Sequence, residues 1–179
     1  MTHPPRRVIA VPRPTRTWVV ILAAYLVVLT AVVVFFASKD DDPKPARSVL
    51  RFATSPASDP FPNLTETRVI VGDDELSVVI ADDESERGQG LRERETIGKY
   101  DGMLFVYEDE SERSFTMSTV PVPLDIGFYD SRGRLVNQLR MEPCAGSDAE
   151  CPGYLSGAEF RYALETLAGD LPEGRLRAA

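Results

Sequence analysis

Hydrophobic positions along this chain follow two different patterns. From Trp18 to Ala37, twenty consecutive residues carry no charge and show no polar face. At about 1.5 Å per residue a helix of that length spans roughly 30 Å, the thickness of a bilayer's hydrocarbon core. After Thr65 the apolar residues instead come in short runs separated by Gly, Asp, Ser and Pro, the pattern of a compact β domain. Between the two lies a stretch with Pro43, Pro45, Pro56, Pro60 and Pro62 and no sustained period, which reads as a flexible linker.

Within the β region the elements can be placed one by one. Arg68 to Val71 and Leu76 to Ala81 flank Gly72-Asp73-Asp74, a hairpin signal. Gly102 to Tyr107 is apolar on both alternating faces and predicts a central strand. Ser114 to Thr119 alternates strictly, with Phe115, Met117 and Thr119 on one side. Leu124 to Tyr129 and Arg134 to Met141 bracket Asp130-Ser131-Arg132-Gly133, a second hairpin signal. One helix is expected over Ser85 to Arg94, because Asp83 and Glu86 have capping-box spacing; Gly88 and Gly90 limit it to two or three turns. Glu159 to Leu167 satisfies strand and helix spacing equally. The predicted fold is mainly β: an antiparallel sandwich or barrel-like domain with one short helix, preceded by a single transmembrane helix.

Charge gives the long apolar run a direction. Arg6, Arg7, Arg13 and Arg16 precede it without any acid, whereas Asp40, Asp41 and Asp42 follow it. By the positive-inside rule the N-terminus is expected in the cytoplasm and the remainder outside, held in the lipid bilayer through Trp18 to Ala37. A cleaved signal peptide would have a shorter apolar core ending in small residues, and here Phe35 and Phe36 crowd its end. The expected organisation is a cytoplasmic tail over 1–17, a membrane helix over 18–37, a linker over 38–65, a β-rich domain over 66–171 and a tail over 172–179. Four of the twenty basic residues and none of the twenty-eight acidic ones precede Ser38, so the part beyond the anchor carries −12. Such a surface repels phosphate backbones, and nucleic acid is not expected as a partner.

The inventory of reactive side chains is short. The single histidine, His3, lies before the anchor, which removes His-dependent triads and His-rich metal sites from the domain. The Asp40 run lacks the spaced ligands of a calcium loop and reads as a solvated stop; no metal and no cofactor are expected. Cys144 and Cys151, with six residues between them and both beyond the anchor, suit a structural disulfide better than a redox pair. Asp125 is the most informative carboxylate. If Leu124, Ile126 and Phe128 face one layer, Asp125 shares the other with Gly127 and Tyr129. There it either lines a pocket or pairs with Arg87, Arg94 or loop amides. Glu165 poses the same choice, while Met103, Phe115 and Met117 read most simply as core.

Several separated segments also have a familiar order. Glu86-Arg87, Gly90-Leu91 and Arg94, then Gly102-Met103-Leu104-Phe105-Val106, lead to Phe115, Met117 and Pro123-Leu124-Asp125-Ile126. Pro143-Cys144, Cys151, Tyr154, Arg161-Tyr162, Leu164-Glu165 and Gly169 complete the series. Over roughly Val69 to Gly169 the chain resembles the family called domain of unknown function 192. The resemblance implies a small β-sandwich or barrel-like fold, commonly exported from prokaryotic cells, without an established activity. The chain departs from the family where it is most distinctive: Phe-Trp-Met-Lys-Asn-Thr reads Phe115-Thr116-Met117-Ser118-Thr119-Val120 here. Roles of the missing polar residues do not transfer.

Asp125, Arg87, Arg94, Tyr154 and Glu165 form the candidate pocket. No nucleophile–base pair, metal cluster or phosphate loop can be assembled from the domain's residues. The leading expectation is therefore a non-catalytic extracytoplasmic module binding a small molecule, a cell-envelope component or an envelope protein. The alternative is a hydrolase or transferase acting on envelope glycans through Asp125 and Glu165, since two carboxylates can suffice for that chemistry. A purely structural envelope protein is the third expectation.

Overall fold

The computed structural model describes residues 49–179. The expected anchor at Trp18 to Ala37 lies outside them; among the described residues no helix is long and apolar enough to cross a membrane.

Ten strands and one helix follow one another: β1 (Ser55–Pro56), β2 (Thr65–Val71), β3 (Asp74–Ala81), α1 (Glu84–Gln89), β4 (Gly102–Ser111) and β5 (Ser114–Thr116). Then come β6 (Leu124–Tyr129), β7 (Leu135–Met141), β8 (Gly153–Leu155), β9 (Phe160–Leu167) and β10 (Leu176–Ala178). Eight of the strands make one sheet in the order β1-β2-β3-β4-β9-β6-β7, with β10 also on β2, and β5 pairs with β8 separately.

Both hairpins stand where the turn residues place them. β2 and β3 pair from Val71↔Asp74 to Thr65↔Ile80. Gly72 turns the chain at φ 61°, and a Cβ there would lie 2.3 Å from the Glu173 carbonyl oxygen. β6 and β7 pair from Leu124↔Met141 to Tyr129↔Leu135 with one irregularity. The ambiguous segment is resolved as strand β9, which has β4 on one side and β6 on the other. Being central, it needs apolar groups on both faces, and that requirement decides against the helix.

Three expectations change. The sheet is mixed, because β3 and β4 run parallel from Val78↔Gly102 to Ala81↔Phe105. Twenty residues including α1 connect them, a crossover that no tight hairpin could replace. The sheet is also open, running from β1 to β7 without closing. The helix is real but shorter than expected, six residues; Asp83 caps it by accepting from the Glu86 N–H while the Glu86 carboxylate accepts from the Asp83 N–H.

Alternation along the central strands sends side chains into two cores. Met103, Phe105, Ile126, Phe128 and Ala163 are buried on one face. Leu104, Tyr129, Tyr162 and Leu164 are buried on the other with Val69, Val71 and Leu176. Each fully buried aliphatic or aromatic side chain contributes about 1.5–3 kcal/mol by leaving water. Gly127 is required beneath Tyr129: a Cβ there would lie 2.8 Å from the buried Tyr129 hydroxyl.

Residues at both margins of the expected domain also belong to it. Within the second half of the Pro-rich stretch, Phe61 is buried and its ring meets Tyr100 at 5.8 Å, edge to face. Phe52 meets Tyr162 at 5.7 Å in the same way. At the other end Leu176 is fully buried in strand β10. Composition alone reads such segments as linker and tail because their apolar residues are single and widely spaced.

A cleft over a buried carboxyl group as candidate functional site

Glu165 sits in the middle of β9 with Met103 opposite it on β4 and Ile126 opposite it on β6. Directly paired residues point to the same side of a sheet. Glu165 therefore projects to the Met103–Ile126 side, a polar group whose directly paired residues are both apolar. It is only 5% exposed, and among the described residues it has no hydrogen-bond or ion-pair partner. Burial alone pushes its pKa from 4.5 up to about 8, so at neutral pH it is mostly the uncharged acid.

The carboxyl group lines a cleft of about 210 Å³. Phe105, Tyr107 and Phe115 supply aromatic walls, Leu91 and Val120 apolar ones, and Thr116 a hydroxyl. Phe105 and Phe115 meet edge to face at 5.4 Å, which fixes both rings. Tyr107 is partly buried, and its phenol is pushed upward in pKa, first by burial and also by the nearby Glu165.

Two arginines line the cleft as well. Arg87, in α1, donates from Nη1 to the carbonyls of Asp82 and Val106, and its guanidinium lies 4.9 Å from the Tyr107 ring centre. Arg92 donates to the carbonyls of Gly88 and Ser118 and forms an ion pair with Asp148 at 2.6 Å.

The wall that carries Arg92 is tied down from outside. Cys144 and Cys151 are joined in a disulfide with Cα atoms 5.9 Å apart. Within the loop they close, the Cys144 carbonyl accepts from the Thr119 N–H at 2.8 Å, and the Gly146 carbonyl accepts from the Ser118 hydroxyl at 2.8 Å. Immediately after the loop, β8 pairs with β5, which contributes Phe115 and Thr116 to the cleft. Thr119 and Glu93 both adopt φ 59°, and the Glu93 N–H donates to the Thr119 carbonyl at 2.8 Å. A β-branched residue in that left-handed region costs on the order of 1–3 kcal/mol. This is also why the alternation expected through Thr119 ends at Thr116.

Of the five predicted pocket residues, the structure brings two together, Arg87 and Glu165. Arg94 lies across α1, lining a second cavity with Phe61; Gln89 and Gly90 contribute to both cavities. Its guanidinium stacks 4.3 Å from the Phe61 ring centre and donates to the Pro60 carbonyl at 3.0 Å. Tyr154 is a β8 residue whose hydroxyl accepts from the Glu142 N–H at 3.0 Å, away from the cleft.

Asp125 pairs with an arginine, though neither Arg87 nor Arg94, and it lines a separate cavity with Gln138, Leu139, Arg140 and Leu171. Its carboxylate accepts from Arg140 Nε and Nη2, the latter at 3.1 Å, and from the Gly169 N–H at 2.6 Å. Arg140 is its directly paired residue on β7. The Arg140 hydrogen bond holds the Asp125 carboxyl below the ordinary carboxylate range. Asp125 also points to the face opposite Glu165, since its neighbours Leu124 and Ile126 face the Met103 core. The glycan chemistry imagined for the pair is therefore blocked: the sheet separates the two carboxyl groups.

Phe105, Tyr107, Phe115, Thr116 and Arg92 complete the cleft and were not picked out from the sequence as site residues. The alternation Met103-Phe105-Tyr107 along β4 carries a signal for three of the neighbours of Glu165. The β5–β8 pairing carries none that a single sequence shows.

The family to which these features belong is shown by comparison. The sequence pattern of the family DUF192, described as an uncharacterized ACR, matches residues 67–178, and the chain belongs to that family. No functionally curated protein matches. A solved structure from Sinorhizobium meliloti 1021, provisionally described as a transcription regulator, is similar at 25% identity and TM-score 0.53, covering 72% of this chain and 95% of its own. A protein of unknown function from Novosphingobium aromaticivorans DSM 12444 is similar at 21% identity and TM-score 0.54, covering 75% and 97%. The second likeness speaks to the fold alone.

Proposed function

We propose that this protein is a membrane-anchored, extracytoplasmic module that binds a small molecule in the cleft over Glu165. The observation that carries the binding is the carboxyl group itself. Burying a polar group without a hydrogen bond costs about 1–3 kcal/mol by mutational measures, so an unpartnered acid open to a cleft is what a site for a hydrogen-bonding ligand has before the ligand arrives. Anchoring rests on the uncharged run from Trp18 to Ala37 and the arginines before it. A role in transcription regulation, the description given to the Sinorhizobium structure, fits poorly here, since −12 beyond the anchor repels nucleic acid.

Thermal melting of the full-length chain against a library of small metabolites and cell-envelope fragments tests the binding. A ligand at about 100 times its Kd stabilises the folded state by about 2.7 kcal/mol. That shift is expected for the native chain and not for Thr116→Trp, whose indole occupies the cleft. Equal shifts in both proteins would place binding elsewhere. For the anchor, a reporter fused after Ala179 is expected to be active only outside the cytoplasm; cytoplasmic activity would refute the orientation.

A further inference from the structure

The charges around the cleft are not symmetric in what already neutralises them. Its lining contains one acid, Glu165, and two bases, Arg87 and Arg92. Arg92 is matched by Asp148 at 2.6 Å. Arg87 donates to two carbonyls and, among the described residues, has no carboxylate partner. A third guanidinium, that of Arg113, lies 4.0 Å from the Tyr107 ring centre and is matched by Asp109 at 2.7 Å. One formal positive charge thus remains at the cleft without a protein counter-ion, while the acid below it is held uncharged by burial.

We infer that the cleft takes a small organic monoanion with an apolar body, its charged group at Arg87 and its body against Phe105 and Phe115. This deepens the binding reading above and rests on it. Arg87 offers further N–H donors in a planar fork suited to a carboxylate or a similar oxyanion. The rings and Leu91 offer apolar contact, and the protonated Glu165 donates a hydrogen bond where an ionised one would repel the anion. A cavity of about 150 Å³ admits benzene, so about 210 Å³ takes one ring or a short chain with a compact head group. An organic cation of equal size fits less well: it would sit beside Arg87 and Arg92 and would require Glu165 to ionise against its burial. The acidic exterior slows an anion's approach, but the field inside a low-dielectric cleft is set by its nearest charges.

Three probes of one shape separate these cases: benzoate, benzylamine and benzyl alcohol. Each is titrated into the full-length chain in detergent micelles while the methyl NMR signals of Leu91, Thr116 and Val120 are followed, which reports on the cleft and ignores probe taken up by micelles. Benzoate is expected to bind about tenfold or more tightly than either of the others. Arg87→Gln should erase that preference, leaving benzoate no better than benzyl alcohol, and Arg87→Lys, which keeps the charge, should retain most of it. Glu165→Leu, which removes the donated hydrogen bond, should weaken benzoate by about tenfold. Benzylamine binding as tightly as benzoate, or a benzoate preference that survives Arg87→Gln, overturns the ligand class and leaves the cleft as a binding site. If none of the three probes moves these methyl signals, the binding reading falls with it.

Discussion

Asp125 and Glu165 lie on adjacent strands, within one residue of being paired, yet they are opposite solutions to placing a carboxyl group in a sheet. Asp125 has an arginine across the strand pair and a backbone amide beside it, so its ionised form is favoured. Glu165 has Met103 and Ile126, so its ionised form is penalised. The side of the sheet decides which. One position inward or outward along a strand reverses the face, and with it the chemistry available to the same functional group.

The contrast can be broken most forcefully with pH. Glu165 is raised from 4.5 to about 8, so its contribution to stability is fully present below about pH 4.5 and is lost progressively up to about pH 8. At about 1.36 kcal/mol per pKa unit the loss is on the order of 5 kcal/mol. Glu165→Gln should remove that decline, seen as denaturation midpoints that stay level where those of the native chain fall. Asp125 behaves with the opposite sign: its pKa is lowered, so the stability it adds is present above its unfolded value of 3.8 and is lost on acidification below that. Identical declines between about pH 4.5 and 8 in the native chain and in Glu165→Gln would remove the basis of the comparison.

The disulfide sharpens it next, because it braces only the Glu165 side. Closing so short a loop contributes on the order of 2–3 kcal/mol by chain-entropy reasoning. Replacing Cys144 and Cys151 together by Ser should cost about that much in denaturant titrations and should broaden the NMR signals of Thr116 and Val120. The acid limb due to Asp125 should stay unchanged. Intact-mass measurement of the native chain should show the two cysteines joined, and two free thiols in protein exported from the cell would refute the bridge.

The smallest effect is expected from Asp125→Asn. Half of the Arg140 side chain is exposed, so solvent screens the pair and the substitution should lower the melting temperature only modestly. It should leave benzoate binding unchanged. A loss of binding equal to that of Arg87→Gln would join the two faces into one site.

What the sequence discloses and what it hides divide along similar lines. Hairpins β2–β3 and β6–β7, the capping box, the disulfide and the two-faced β4 are local, and turn residues or period-two alternation reveal them. The parallel β3–β4 pairing, the open sheet and the settlement of β9 as a strand depend on residues far apart meeting, and no local signal fixes that. The site shows the same split. Arg87 and Glu165 were legible as polar residues in a patterned context, but Arg140 as the partner of Asp125 required the register of β6 against β7. Arg94 and Tyr154 shared the resemblance without sharing the cleft.

One feature of the sheet bears on the life of the protein before and after folding. The outer side of β2 is covered by two short pieces, β1 at Thr65 and Glu66 and β10 from Val69 to Val71, drawn from opposite ends of the described chain. Together they occupy hydrogen-bonding groups that would otherwise form a template for strand addition by another molecule. Each piece is only two or three residues long and can be lost to a single proteolytic cut. A chain shortened before Leu176 would uncover Val69 and Val71, two apolar residues on a β-prone strand, and so would be exposed to self-association that the intact chain resists. Trimming by a protease would then favour aggregation without touching the cleft.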